Sequence, residues 1–377
     1  MLKFIFTSIS FYLALCSYAQ PVKPVKYKDI VFSNIAIDKN LSYADNTAAG
    51  TKHKFYLFDL YQPANDTITA RRPLIIWMHG GGFKFGSKSA KGIQILCSEF
   101  AQRGYLCAVI NYRLSKKNPL TNVKTLIRGC ADAVQDAEKA IAFFKMNGTK
   151  FRIDTNRIIL GGNSAGAMIA LQAVYSNNAD LALLADSTDK THFSTGSYNP
   201  QHIAAVINFW GALFKINWLT NARVPIVSVH GSNDHVVPIG KTSSSFYGSQ
   251  RIHEKADDLH IPNRLKIFEG YGHELQKHFK PLFSSAATKR RWLEAGAFAA
   301  DFLRRARQRR AARRRHRQCA YGGRLGFAGT YPSDHGDRIT IQNQVRAVRI
   351  GGHERYRRND QLDVRKHLFD GGLPARL

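Results

Sequence analysis

Three features of this sequence predict an α/β fold, with a mostly parallel central sheet flanked by helices on both faces and only a minimal cap. Apolar runs without polar alternation, such as Pro73-Leu74-Ile75-Ile76-Trp77-Met78 and Tyr105–Tyr112, read as strands buried on both faces. These runs alternate with segments of helical spacing, which places helices over the sheet. Glycine-rich turns directly follow several of the strands, where a parallel sheet gathers its functional loops. The chain of 377 residues is long enough for one such domain, or for one domain and an appendage.

The elements follow in order. Two strands are expected first, one including Ile30–Ile37 and one over Lys54–Tyr61, ended by Pro63, Asn65 and Asp66. The strand Pro73–Met78 leads to a helix over Lys91–Arg103, with Ile95, Leu96 and Phe100 on one side and Gly104 at its end. After the strand Tyr105–Tyr112, Asp132–Met146 repeats apolar residues at helical spacing (Val134, Ala137, Ile141, Phe144). A strand over Arg157–Leu160, a helix over Ala165–Val174, and strands over Ile203–Phe209, Pro225–His230 and Leu265–Phe268 complete the alternation, and a helix over Arg291–Leu303 closes it. The polar stretch between Tyr175 and Gln201, with its apolar patch Leu181–Leu184, is short for a full cap domain.

Both ends differ from the body. Lys3, the apolar run Phe4–Leu15 and the small residues Ser17 and Ala19 have the pattern of a cleavable signal peptide over residues 1–19, with cleavage before Gln20. The expectation is a secreted or periplasmic protein. The run is too short for a membrane span, and Leu15 is bulky where a lipoprotein box needs a small residue. The catalytic domain is expected over 20–303, and 304–377 is an Arg-rich tail expected to be disordered or foreign to the fold. The formal net charge is +28; about 36 Lys and Arg against 21 Asp and Glu precede residue 304, and about 19 against 6 follow. Lys outnumbers Arg in the body, whereas Lys366 is the tail's one lysine. Cys97, Cys107, Cys130 and Cys319 remain after removal of the leader, too few for a disulfide framework; a Cys97–Cys130 bridge is left open. No Cys-x-x-Cys or His/Cys spacing suggests zinc.

Four motifs sit directly after strands. Gly162-Asn163-Ser164-Ala165-Gly166 is a G-x-S-x-G turn, in which small neighbours let the Ser164 hydroxyl stand at the sheet's carboxyl edge and the helix's amino end. His79-Gly80-Gly81-Gly82-Phe83 offers backbone N–H groups to a developing oxyanion, with His79 fixing the loop; it lacks the Gly-Lys-Ser/Thr ending of a phosphate loop. Asp234, in His230–Pro238, is an acid able to orient an imidazole, and Gly270-Tyr271-Gly272-His273-Glu274 supplies that imidazole at His273. The chain order is Ser, Asp, His.

With these motifs, the stretch from about Phe55 to Leu303 resembles the α/β-hydrolase superfamily, in its carboxylesterase and lipase branch with a His-Gly-Gly-Gly loop. That branch includes exported bacterial esterases acting on plant-polysaccharide side groups. Asp59-Leu60-Tyr61-Gln62-Pro63, Asn111-Tyr112-Arg113 and Asp154-Thr155-Asn156-Arg157-Ile158 extend the resemblance. It implies Ser164 as nucleophile, His273 as general base then acid, Asp234 as its orienting partner, and Gly81, Gly82 and the Ala165 N–H as oxyanion hole. It also implies a small-molecule or polysaccharide-linked ester as substrate, without metal or organic cofactor. Ala167 departs from the second glycine that many relatives carry. Two rival readings remain: a serine peptidase of the same fold, and a tail that binds polyanions or nucleic acid through charge alone. No obligatory nucleic-acid partner is expected, and the oligomeric state is left open.

Overall fold

The apolar runs pair into one sheet of eight strands: β1 (Ile35–Ser42), β2 (Leu57–Pro63), β3 (Arg72–Met78), β4 (Leu106–Ile110), β5 (Ile153–Asn163), β6 (Ile203–Phe209), β7 (Ile226–Gly231) and β8 (Asn263–Phe268). Their spatial order in this computed structural model is β1-β2-β4-β3-β5-β6-β7-β8. β1 and β2 pair antiparallel, as do β2 and β4; every pairing from β4 to β8 is parallel. The helices are α1 (Lys91–Gln102), α2 (Val123–Met146), α3 (Ala165–Tyr175), α4 (Asn178–Leu184), α5 (Ser249–Asp258) and α6 (Ala286–Gly322). The structure describes residues 24–44, 53–66, 70–185, 203–240, 246–277 and 286–322. The expected signal peptide and Cys319's thiol lie outside what is described, as does the unit Gly323–Leu377.

The strands lack polar alternation because each face has its own core. On β3, Leu74, Ile76 and Met78 join α2 and α3 residues such as Val134, Phe144 and Ile169. Ile75 and Trp77 point the other way, to Leu96 and Phe100 of α1 and Trp292 and Ala299 of α6. Each large side chain buried this way stabilises the fold by roughly 1.5–3 kcal/mol before entropy is counted. The two end strands differ. β1 is largely exposed and carries Asp38 and Lys39, and β8 carries Arg264 and Lys266, paired to Asp301 and Glu294 of α6.

Several expected elements shift. The first strand lies at 35–42 rather than 30–37, and Lys54–Tyr61 begins as a 3-10 turn over His53–Tyr56 before β2. α2 starts nine residues before Asp132, because the Asn122 side chain accepts from the Thr125 N–H and caps it there. α5 was not anticipated; it is polar, and only four of its residues are buried. α6 crosses the boundary placed at Leu303, so residues 304–322 are helical. Asp301 supports that continuation through Arg304 and Arg305, and the Arg307 guanidinium lies 4.5 Å from the centre of the Tyr27 ring. Cys97 does not face Cys130, because the sheet separates their two cores. Its neighbour is Cys107, sulfur to sulfur 2.7 Å, and Cys97, Cys107 and Cys130 are all free. Among the described residues, no helix is long and apolar enough to cross a membrane.

Candidate active site

β5 ends at Asn163 and α3 begins at Ala165, so Ser164 alone makes the turn, at φ 53° and ψ −121°. That conformation is strained for a residue with a Cβ and persists because its surroundings fix it. The Ser164 N–H donates to Phe209 O at 2.9 Å, and its carbonyl accepts from the Met168 N–H at 3.0 Å. The flanking glycines are demanded by contact. A Cβ on Gly166 would stand 2.1 Å from Met78 O, and one on Gly162 would stand 2.2 Å from the Gly166 carbonyl carbon. Ala167, the departure from the family pattern, is buried against Gly211, where a Cβ would come within 2.6 Å of the Ala167 methyl. The missing side chain at 211 provides the space that Ala167 fills.

The three expected catalytic side chains converge. His273 Nε2 lies 2.9 Å from Ser164 Oγ, and His273 Nδ1 lies 2.8 Å from Asp234 Oδ2. The loops after β7 and β8 are stitched together: the Asn233 N–H donates to Tyr271 O, and the Gly270 N–H donates to Ser232 Oγ. Ser164 and Asp234 are buried, while His273 keeps partial access to solvent.

Asp234 is satisfied on every side. Oδ1 accepts from the N–H groups of Val236 and Val237, both at 2.9 Å. Oδ2 faces His273 and also His230 Nε2, 3.2 Å away. Burial alone would raise this carboxyl, but the hydrogen bonds from His230 and His273 outweigh it and hold the group well below the usual carboxylate range. His230 was quoted within a motif but given no role by sequence reasoning. Its Nε2 faces two acceptors, Asp234 and the Val237 carbonyl, so that nitrogen carries the proton. Its Nδ1 then accepts from Ser249 Oγ at 2.7 Å, and Ser249 Oγ accepts from Asn208 Nδ2. A buried polar chain from β6 and α5 thus holds the acid from behind. Its signal was present in the sequence as Asn208, Ser228 and His230, polar residues inside otherwise apolar strands.

The glycine loop lies against the elbow. A Cβ on Gly80 would stand 3.3 Å from Ser164 Cβ. Gly81 and Gly82 both have positive φ, 117° and 58°, which a side chain would resist. His79 Nδ1 donates to Gly80 O at 2.7 Å, and its ring stacks on Tyr112 at 4.3 Å. Burial pushes the His79 imidazole down to about 4, so it is neutral near pH 7. Trp210 is fully buried against Phe209 and Trp292, its ring centre 6.5 Å from that of His273.

Comparison with known proteins bears on part of this chain. Residues 58–214 match the family model described as BD-FAE, a span holding the glycine loop and the elbow but ending before Asp234 and His273. The chain is 25% identical over 296 residues to a probable isoprenylcysteine alpha-carbonyl methylesterase of Oryza sativa subsp. japonica, covering 70% of this chain and 63% of that protein. It is 32% identical over 104 residues to gut esterase 1 of Caenorhabditis elegans, covering 28% of this chain and 18% of the relative. The chain therefore spans less than two thirds of the length of these curated relatives. A propionate-bound esterase from Thermogutta terrifontis shares the fold, with a TM-score of 0.50 and 22% identity, covering 70% of this chain and 93% of that one. Over these stretches the chain is similar to esterases.

Proposed function

We propose that this protein is an exported carboxylesterase that works through an acyl-enzyme on Ser164. The observation that carries the reading is the hydrogen-bonded line from Ser164 Oγ through His273 to Asp234, built on a strained elbow. His273 Nε2 takes the hydroxyl proton as Ser164 Oγ attacks the ester carbonyl. Asp234 stabilises the imidazolium that forms. The N–H groups of Gly81, Gly82 and Ala165 receive the oxyanion. His273 then gives its proton to the departing alcohol, and a water activated by the same imidazole releases the acid. Short-chain acyl, acetyl-sugar and feruloyl esters are the substrates this reading favours. Export rests on the leader pattern of residues 1–19.

The direct test is labelling with a fluorophosphonate, followed by peptide mapping. One adduct on the Ser164 peptide is expected, lost in Ser164→Ala. Hydrolysis of 4-nitrophenyl acetate should fall at least ~10⁴-fold in Ser164→Ala and His273→Ala. An adduct elsewhere, or unchanged turnover in Ser164→Ala, overturns the assignment. A peptide anilide cleaved faster than the ester would make the protein a peptidase.

A further inference from the structure

α1 and β4 each turn one cysteine toward the other. Cys97 lies on the buried face of α1 with Ile93, Leu96 and Phe100. Cys107 lies on β4, in register with Tyr61 of β2 on one side and Ile75 of β3 on the other. Only Arg103, Gly104 and Tyr105 join the two elements, so the chain doubles straight back and brings residue 97 over residue 107. The two sulfurs stand 2.7 Å apart, and both side chains are fully buried. Unbonded carbon atoms rest roughly 3.5–4.0 Å apart, and sulfur is the larger atom. The packing of α1 on β4 therefore holds the two thiols closer than unbonded sulfurs rest, and a short approach separates them from a covalent bond.

Neither thiol has another task in the fold. Cys130 is in the core on the far side of the sheet, out of reach of both. Among the described residues, no group of three or more His, Cys, Asp or Glu side chains could hold a metal, so the pair is not part of a metal centre there. The triad and the glycine loop use neither cysteine.

We propose that Cys97 and Cys107 form a disulfide site, oxidised by a small disulfide such as glutathione disulfide while the chain folds. The thiolate of one cysteine attacks a sulfur of the small disulfide, a mixed disulfide forms, and one small thiolate leaves and takes up a proton. The thiolate of the other cysteine then attacks the protein sulfur of the mixed disulfide. The protein S–S bond forms and the second small thiol departs. The protein gives up two electrons and two protons, and one small disulfide becomes two thiols. Burial pushes the Cys97 thiol well above its usual range, so a closed core yields almost no thiolate. The exchange belongs to the stage before α1 has settled on β4, and the settled helix then shields the bond from external thiols. The inference takes an oxidising compartment from the export reading, but takes the pairing from the fold alone.

Peptide mapping tests it. The full chain is reduced, unfolded in urea and returned to native buffer containing reduced and oxidised glutathione. Folded monomer is blocked with N-ethylmaleimide in urea and digested with trypsin without reductant. Cleavage after Arg103 parts the two cysteines into the peptides Gly92–Arg103 and Gly104–Arg113. These should appear as one linked species, lighter than their sum by two hydrogens, which separates on reduction, while Cys130 carries the maleimide. Recovery of both peptides with maleimide attached overturns the site, as does a bridge from Cys97 to Cys130 or Cys319. The bridged protein should also melt about 5 °C above the same chain refolded with reductant, a comparison free of any substitution. An equal or lower melting temperature would show that the fold does not hold the pair where a bond fits, and would overturn the site too. A linked pair in a chain whose host leaves residues 1–19 in place would keep the site and remove export instead.

Discussion

The elbow around Ser164 and the open cavity lined by Lys54, Lys116, Lys117 and Lys124 are built on opposite terms. In the elbow, backbone touches backbone: Gly166 has no space for a methyl against Met78, and Ser164 holds a strained conformation between a strand and a helix. In the cavity, long charged side chains, most of them exposed, line a wide opening. The first region fixes atoms to fractions of an ångström, as proton transfer requires. The second sets only a potential, which a flexible lysine supplies without a fixed position. An arrangement of the first kind tolerates almost no change, whereas one of the second kind tolerates much.

The sharpest way to break this contrast is Gly166→Ala. Within an ordinary helix, alanine is favoured over glycine by about 1 kcal/mol. Here the added methyl meets Met78 O, so the sign should reverse, with a loss of roughly 3 kcal/mol or more in urea unfolding and no measurable ester turnover. A Gly166→Ala protein as stable as the parent would show that the elbow yields after all.

Next in size is His230→Ala, which removes a buried donor from Asp234 without touching Ser164. We expect kcat for a small ester to fall about 10- to 100-fold with a smaller change in KM. His235→Ala, at an exposed site on the same loop, should stay within about twofold. Equal losses in the two variants would remove the buried chain behind the acid from the account.

A further effect concerns pH. Burial holds the imidazoles of His79 and His253 down to about 4, against about 6.5 in an unfolded chain. Their neutral folded forms contribute stability that is fully present above about pH 6.5. It is lost as pH falls toward 4, where the unfolded chain binds protons that the folded one refuses. On the order of 3 kcal/mol is at stake for each. The urea midpoint should therefore drop between pH 7 and 4.5, with a shallower slope in His253→Gln; a flat profile contradicts it.

The smallest effect is expected at the carboxyl end. A chain ending at Ala312 keeps Arg307 over Tyr27, and one ending at Leu303 loses it together with Ala306. The shorter chain should melt about 1–3 °C lower, with kcat/KM within about twofold of the longer one. Scanning calorimetry of the pair decides whether the helical part of the tail contributes to the fold.

Much of this was legible before any coordinates. Strands buried on two faces write themselves as unbroken apolar runs, so β3, β4, β6 and β7 were found nearly to the residue. The four glycine-bearing motifs mark where chain direction must change abruptly, and that is where the three catalytic candidates converge. The first turns of α2 were not found, although Val123, Leu126, Ile127, Cys130 and Ala131 already repeat at helical spacing after the capping residue Asn122. α5 was missed because only a few of its side chains enter the core. The cavity was invisible for a different reason. Lys54 and Phe55 lie some sixty residues before the 113–132 segment they face, and no local pattern reports such a meeting.

The two end strands bear on what happens when copies of this chain meet. An open sheet offers unpaired N–H and C=O groups at each edge, and a neighbouring chain can add a strand there. On β1 that neighbour meets Asp38 and Lys39, and on β8 it meets Arg264 and Lys266, whose α6 partners it would have to displace. Edge-to-edge stacking is therefore opposed at both margins. The domain can be concentrated without its sheet serving as a template for fibres.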